Sequence, residues 1–167
     1  DVYKRQPNVV SRWANVESQE LNTPLVYVYR RAVPDSGGPG KFRGGVCHEY
    51  AFAPNRSGGN PMGLTLFGKG TRAPMSLGLF GGYPGCNVGY STFREANIEA
   101  LPGMLEETAG VEREERFWGS VELEPGDLQY VRFMGGGGYG DPIDRDPAAV
   151  LADTQLGLVS VEAAERI

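Results

Sequence analysis

The chain has 167 residues, 21 acidic against 16 basic side chains, a net charge of -5 and 40% hydrophobic residues. That length holds one domain with a real core or a piece of something larger, and the aliphatic and aromatic content is enough to offset the entropy of ordering. No basic block is present to hold a nucleic-acid backbone, and no apolar run approaches the roughly 20 residues of a membrane span.

The chain opens without Met on Asp1-Val2-Tyr3-Lys4-Arg5-Gln6, a string that resembles a translated sequencing-adapter scar; residues 1–6 are therefore set apart from 7–167, which are treated as a single region. The first predicted strand is 25–30, β-branched and aromatic, bounded by Thr23-Pro24 and by the turn-rich Pro34-Asp35-Ser36-Gly37-Gly38-Pro39-Gly40. Residues 46–52 alternate weakly and 62–67 read as another strand. Residues 117–123 run through Glu124-Pro125-Gly126-Asp127 into 128–133, a pattern that predicts a hairpin. Only the C-terminal portion reads as helical: Asp146 is the N-cap, Pro147 opens the first turn, and Gly157 ends the connection. Ser160 caps a second helix with Glu162 in its first turn, yet the sequence stops at Ile167 after barely two turns, so a fragment cut at both ends is expected. The expected class is α+β, predominantly β, with glycine-rich loops joining short strands and a short helical tail. Trp13, Phe117, Trp118 and Phe133 are expected to fill the core, because aromatic side chains bury the most area.

Glycine is the strongest signal. There are 25, about twice the usual share of roughly 7%. The densest run is Gly135-Gly136-Gly137-Gly138-Tyr139-Gly140-Asp141-Pro142, where the chain needs positive φ or very close approach, to another backbone or to a ligand. Gly135, Gly137 and Gly140 satisfy G-x-G-x-x-G, but Asp141-Pro142 stands where a dinucleotide-binding helix should already have begun. Gly63-Leu64-Thr65-Leu66-Phe67-Gly68-Lys69 imitates a P-loop until Gly70, which replaces the magnesium-binding hydroxyl, and its middle reads as a strand. His48 is the single histidine, and Cys47 and Cys86 have no metal-ligand spacing, so no self-contained metal site is expected. Strand alternation would put His48 on the face opposite Cys47 and Glu49. With two cysteines, no disulfide framework and no signal peptide, a reducing cytoplasmic location is expected.

The loop from Asp35 to Gly45 gathers an acid, a hydroxyl and two cations, Asp35, Ser36, Lys41 and Arg43, on a glycine-rich backbone whose N–H groups suit an anion or carboxylate. Asp35 capping an Asx-turn, with Arg43 pairing with it, is the simpler reading and is preferred to a ligand role for this loop alone. Together with Gly136, Gly137, Gly138 and Asp141, the residues Asp35, Ser36 and Arg43 are the candidates for binding substrate or partner; no catalytic residue is assigned.

In chain order, Pro34 through Gly45, then Gly78-Leu79-Phe80-Gly81-Gly82-Tyr83-Pro84-Gly85, then Gly136 through Pro142 with Arg145-Asp146-Pro147, then Gly157-Leu158-Val159-Ser160 form a set that resembles the C-terminal part of the hydantoinase B/oxoprolinase family. The resemblance runs from about Asn15 to Ile167. It implies one part of an ATP-dependent enzyme: a hydantoinase A-type ATPase subunit or domain phosphorylates an amide or enolate oxygen, and the B-type subunit completes ring opening or carboxylation. Phosphorylation makes a resonance-stabilised oxygen a leaving group, and backbone N–H donors suit the developing charge. Opening of a cyclic amide such as a hydantoin or 5-oxoproline is the expected reaction; a subunit of an acetone or acetophenone carboxylase, and a non-catalytic β-rich module docking the ATPase, are the alternatives. ATP and a divalent metal, Mg, Mn or Zn, are implied for the full complex, with the metal ligands in a family portion that lies upstream of these residues, so the chain alone is expected to be inactive and to hold no cofactor.

Overall fold

The computed structural model describes residues 15–55, 60–96, 113–116 and 118–166. Asn15 accepts a hydrogen bond from the Glu17 N–H and so starts α1, Val16–Asn22, with Glu17 complementing the dipole of the first turn. The chain is therefore helical near its start as well as its end. The strands are β1 (Leu25–Ala32), β2 (His48–Pro54), β3 (Met62–Leu66), β4 (Gly89–Phe93), β5 (Arg113–Arg116), β6 (Gly119–Leu123) and β7 (Leu128–Arg132). Strands outweigh helices among the described residues, and the architecture is mixed.

Two compact units share the chain: Asp1–Arg30, Tyr50–Phe67 and Tyr90–Val131 make the first, and Arg31–Glu49, Gly68–Gly89 and Arg132–Ile167 the second. The first unit carries most of a five-stranded sheet, ordered β1-β2-β7-β4-β5, and a two-stranded antiparallel sheet, β3-β6, in which Leu64 faces Val121. Alternation along β2 sends Ala51 and Ala53 to one apolar cluster, with Phe93, Leu128 and Tyr130, and Phe52 to another, with Leu66, Val121, Leu123 and Val131. The central strands are thus covered on both faces, one of them by the small sheet. Buried Gln129 is satisfied: it accepts from the Thr92 hydroxyl at 2.8 Å and donates to Ser91 O at 3.1 Å and Tyr130 O at 2.9 Å.

The predicted hairpin does not form. Its turn exists, with Asp127 N donating to Glu124 O at 2.9 Å, but β6 pairs with β3 while β7 lies between β2 and β4. Leu128 to Val131 are buried in succession, which demands cover on both faces, whereas β6 buries only alternate residues and suits a sheet with one face inward. The crossing is held by Asp127, 3% exposed, whose carboxylate accepts from Glu124 N at 2.9 Å, Glu95 N at 3.1 Å and Arg94 Nη1 at 2.5 Å. Asp127→Ala orphans the Glu124 and Glu95 N–H groups and takes one partner from Arg94, which keeps Glu122 O at 2.9 Å and Glu114 at 3.4 Å, and is expected to cost about 2–4 kcal/mol. Urea unfolding followed by far-ultraviolet dichroism checks it; an unchanged midpoint would remove Asp127 from this role.

The aromatic expectation is corrected. Trp118 is 75% exposed and Phe133 only half-buried, whereas Phe52, Phe93 and Tyr130 fill the core; Trp13 and Phe117 lie outside the described residues. Glycine at 119 and the single-faced burial of β6 leave Trp118 at a strand start with nothing to cover it. The P-loop imitation is a strand, β3, followed by Gly70 at φ 85, as its composition implies.

Candidate functional site

The second unit contains the glycine runs. Three glycine-bearing stretches, around 36–45, 76–86 and 135–140, exchange backbone hydrogen bonds in all three pairings: Gly38 N to Gly136 O at 2.8 Å, Tyr83 N to Pro39 O at 2.8 Å, and Gly138 N to Tyr83 O at 2.8 Å. Such mutual bonding needs chains closer than side chains permit. A Cβ on Gly138 would stand 1.9 Å from Pro39 O, on Gly135 1.8 Å from Ser36 O, and on Gly137 2.2 Å from Leu77 O. Every one of these obstacles is backbone, which cannot swing aside.

Close approach, not positive φ, is the reason for the glycines at 135, 137 and 138. In the run only Gly140 is left-handed, at φ 75. Of the two needs the run left open, positive φ does not apply at Gly137: the space on its Cβ side belongs to the Leu77 carbonyl.

The polar candidates are drawn into the same framework. Asp35, at φ 57, accepts from Ser160 N at 2.8 Å rather than pairing with Arg43. Ser36 is buried; its hydroxyl donates to Val33 O at 2.6 Å and accepts from Cys47 N at 2.7 Å. Arg43 grips Asp153 in a fork, Nε to Oδ2 at 2.9 Å and Nη2 to Oδ1 at 3.1 Å, and buried Arg145 bonds the same carboxylate. Those guanidinium groups, Arg43 foremost through its hydrogen bond, hold the Asp153 carboxyl below its ordinary pKa against the opposing effect of burial. Asp141 accepts from Ile143 N at 3.0 Å and caps a 3-10 turn at Pro142–Asp144. The predicted helix follows as α2, Pro147–Gln155, with Asp146 accepting from Ala148 N; Gly157 sits at φ 66, and Ser160 accepts from Ala163 N to cap α3, Val161–Ala164.

Exposed aromatic rings stand on the same unit. Phe80 occupies the first central position of a turn closed by Gly82 N to Leu79 O at 3.0 Å, at φ 51, with Gly81 at φ 92 after it. Its ring lies 5.1 Å from that of Tyr139, which is 6.3 Å from Phe42.

Sequence reasoning missed the thiols. Cys47 is buried and Cys86 half-buried; the Cys86 thiol donates to Phe133 O at 3.6 Å, and a mutual hydrogen bond couples the titration of the two thiols. That bond, first among the causes, holds the Cys86 thiol down to about 6, with help from the Gly135 N–H and the Arg132 charge and against burial; the same bond and burial push Cys47 up. His48 is exposed at the start of β2, on the opposite side from Cys47 and Glu49, as alternation predicts. Among the described residues no three His, Cys, Asp or Glu side chains come together as a metal set.

Known proteins supply the context. The chain is 30% identical over 95% of its length to the acetophenone carboxylase delta subunit of Aromatoleum aromaticum. It superposes on a nucleotide-free structure of acetone carboxylase with a TM-score of 0.79 at 25% identity over 96% of the chain, and on the ATP-dependent caprolactamase of Pseudomonas jessenii with 0.67 at 26% over 90%. It spans about a quarter of each of these proteins, 25%, 23% and 24% of their lengths. The Hydantoinase B/oxoprolinase family model matches residues 6–142, and the chain belongs to that family.

Proposed function

We propose that the chain is a framework portion of a subunit of an ATP-dependent enzyme that activates the oxygen of a small carbonyl compound, and that the compound is a ketone carboxylated with bicarbonate. The observation that carries the choice is the closer superposition on acetone carboxylase, 0.79 against 0.67 for the caprolactamase. Ring opening of a cyclic amide is the second reading, favoured by the likeness to a lactam-hydrolysing enzyme. In both, the ATPase partner is of the hydantoinase A type, and ATP and the divalent metal belong to the whole complex. The residues of the second unit supply rigidity. Asp35, Ser36, Arg43 and Asp141 each have a hydrogen-bonding partner inside the chain, so their proposed contribution to substrate or partner binding is to fix the backbone of a site wall.

The test is ATP hydrolysis by the complete subunit co-purified with its ATPase partner. Acetone or acetophenone with bicarbonate is expected to stimulate turnover strongly, and a lactam, hydantoin or 5-oxoproline not to. Stimulation by a cyclic amide without bicarbonate would establish the second reading; stimulation by neither class would leave the docking-module alternative standing.

A further inference from the structure

We infer that Cys47 and Cys86 are a peroxide-reactive thiol pair, Cys86 the attacking sulfur and Cys47 the resolving one. The backbone brings them together through one residue: Cys47 N donates to the Ser36 hydroxyl at 2.7 Å, and Cys86 N to the Ser36 carbonyl at 2.9 Å. Each cysteine is also fixed from its other side, Val33 N donating to Cys47 O at 3.0 Å and Gly135 N to Cys86 O at 3.1 Å. Both backbones are thus anchored on Ser36, and the Cys86 thiol, which donates to Phe133 O at 3.6 Å, is turned to Cys47 once that contact is released; the bond to be formed is about 2.05 Å between the sulfurs.

The surroundings divide the labour. Cys86 is the more accessible sulfur and Cys47 is buried, at 3% exposed. Arg132 supplies positive charge to both, and it is tethered beside Cys86 through Nη2 to Asn87 Oδ1 at 3.0 Å. Its Nε–H is buried without a hydrogen-bond partner, a donor left over beside a group that becomes an anion. A thiolate at Cys86, already favoured near neutral pH, is the form that attacks.

The chemistry balances with hydrogen peroxide as the oxidant. The Cys86 thiolate attacks one peroxide oxygen and breaks the O–O bond, giving a sulfenic acid and hydroxide. Hydroxide takes the Cys47 proton and forms water. The Cys47 sulfur then attacks the Cys86 sulfur, the S–S bond forms, and the sulfenic oxygen leaves as hydroxide. Two electrons pass from the sulfurs to the peroxide, and with protonation the sum is two thiols and peroxide to one disulfide and two waters.

The experiment uses the whole chain, reduced, treated with hydrogen peroxide near neutral pH, quenched with N-ethylmaleimide and read by mass. The expected result is a loss of about 2 Da, no maleimide uptake and a tryptic product joining Cys47 to Cys86. Cys47→Ser is expected to trap the sulfenic acid at Cys86 as a dimedone adduct, and Cys86→Ser to slow peroxide consumption by about tenfold or more. The unsubstituted chain gives the linkage directly, so a misfolded variant does not decide the matter. Maleimide uptake by both cysteines after peroxide, a disulfide between two chains, or a sulfinic acid on Cys86 beside reduced Cys47 would each overturn the pair. The readout is cysteine mass and is independent of which carbonyl compound the complex turns over.

Discussion

Gly138→Ala is expected to destabilise the second unit by about 3 kcal/mol or more, an effect at the upper end for overpacking. The added methyl would meet Pro39 O at 1.9 Å and Gly38 O at 2.7 Å, and both oxygens belong to backbone held by hydrogen bonds on either side. Relief requires parting two of the three stretches. Gly63→Ala is the matched control: it has nothing within 4 Å and lies in β3, so it is expected to be neutral or to stabilise by about 0.5 kcal/mol through lower unfolded-state entropy. Hydrogen exchange resolved by unit is the right measurement, since two units need not unfold together. Equal protection of Gly138→Ala and the original chain in residues 132–140 would show that the stretches are not in contact. Gly137→Val should fail in the same way, by losing fold rather than turnover alone, because its Cβ side faces Leu77 O at 2.2 Å.

Asp153→Ala is expected to cost about 3–5 kcal/mol, the range for removing one partner of a largely buried ion group. The Asp153, Arg43 and Arg145 side chains are 15%, 15% and 5% exposed, so loss of the carboxylate strands two cations away from water. The pH dependence follows from the direction of the shift. The folded pKa lies below the ordinary 3.8, so this stabilisation is fully present above that value and is lost as pH falls through the lowered folded one. Asp153→Asn should therefore start less stable at neutral pH and show a flatter stability profile below about pH 4 than the original chain. Parallel acid profiles would mean that Asp153 is not the titrating group.

Local signals were legible in the sequence wherever the physics was local. The apolar runs of β1, β2, β3 and β7 and the caps at Asp146 and Ser160 could be read from neighbours within a few residues. β4 and β5 were missed, and α1 depended on a single Asn cap over seven residues. The turn at 124–127 was visible but its outcome was not, because which strands pair with β6 and β7 is decided by burial on the far face. Glycine density flagged the right segments, yet it cannot say whether a ligand or another backbone fills the room. Asp153 as the partner of Arg43, and Cys86 as that of Cys47, are products of long-range closure and leave no spacing to detect.

The ties between the 35–43 loop and the C-terminal helices also set a timetable for synthesis. Arg43 waits for Asp153, 110 residues later, and Asp35 waits for the Ser160 amide, 125 residues later. At roughly 5–20 residues per second a ribosome takes on the order of 5–20 s to supply those partners. Before then 36–45 and 76–86 can bond only to each other, Tyr83 N to Pro39 O and Cys86 N to Ser36 O, while the bonds of both to 135–140 must wait. The second unit therefore cannot complete its bonds until residues 135–160 have been made, after the first unit's strands through Val131.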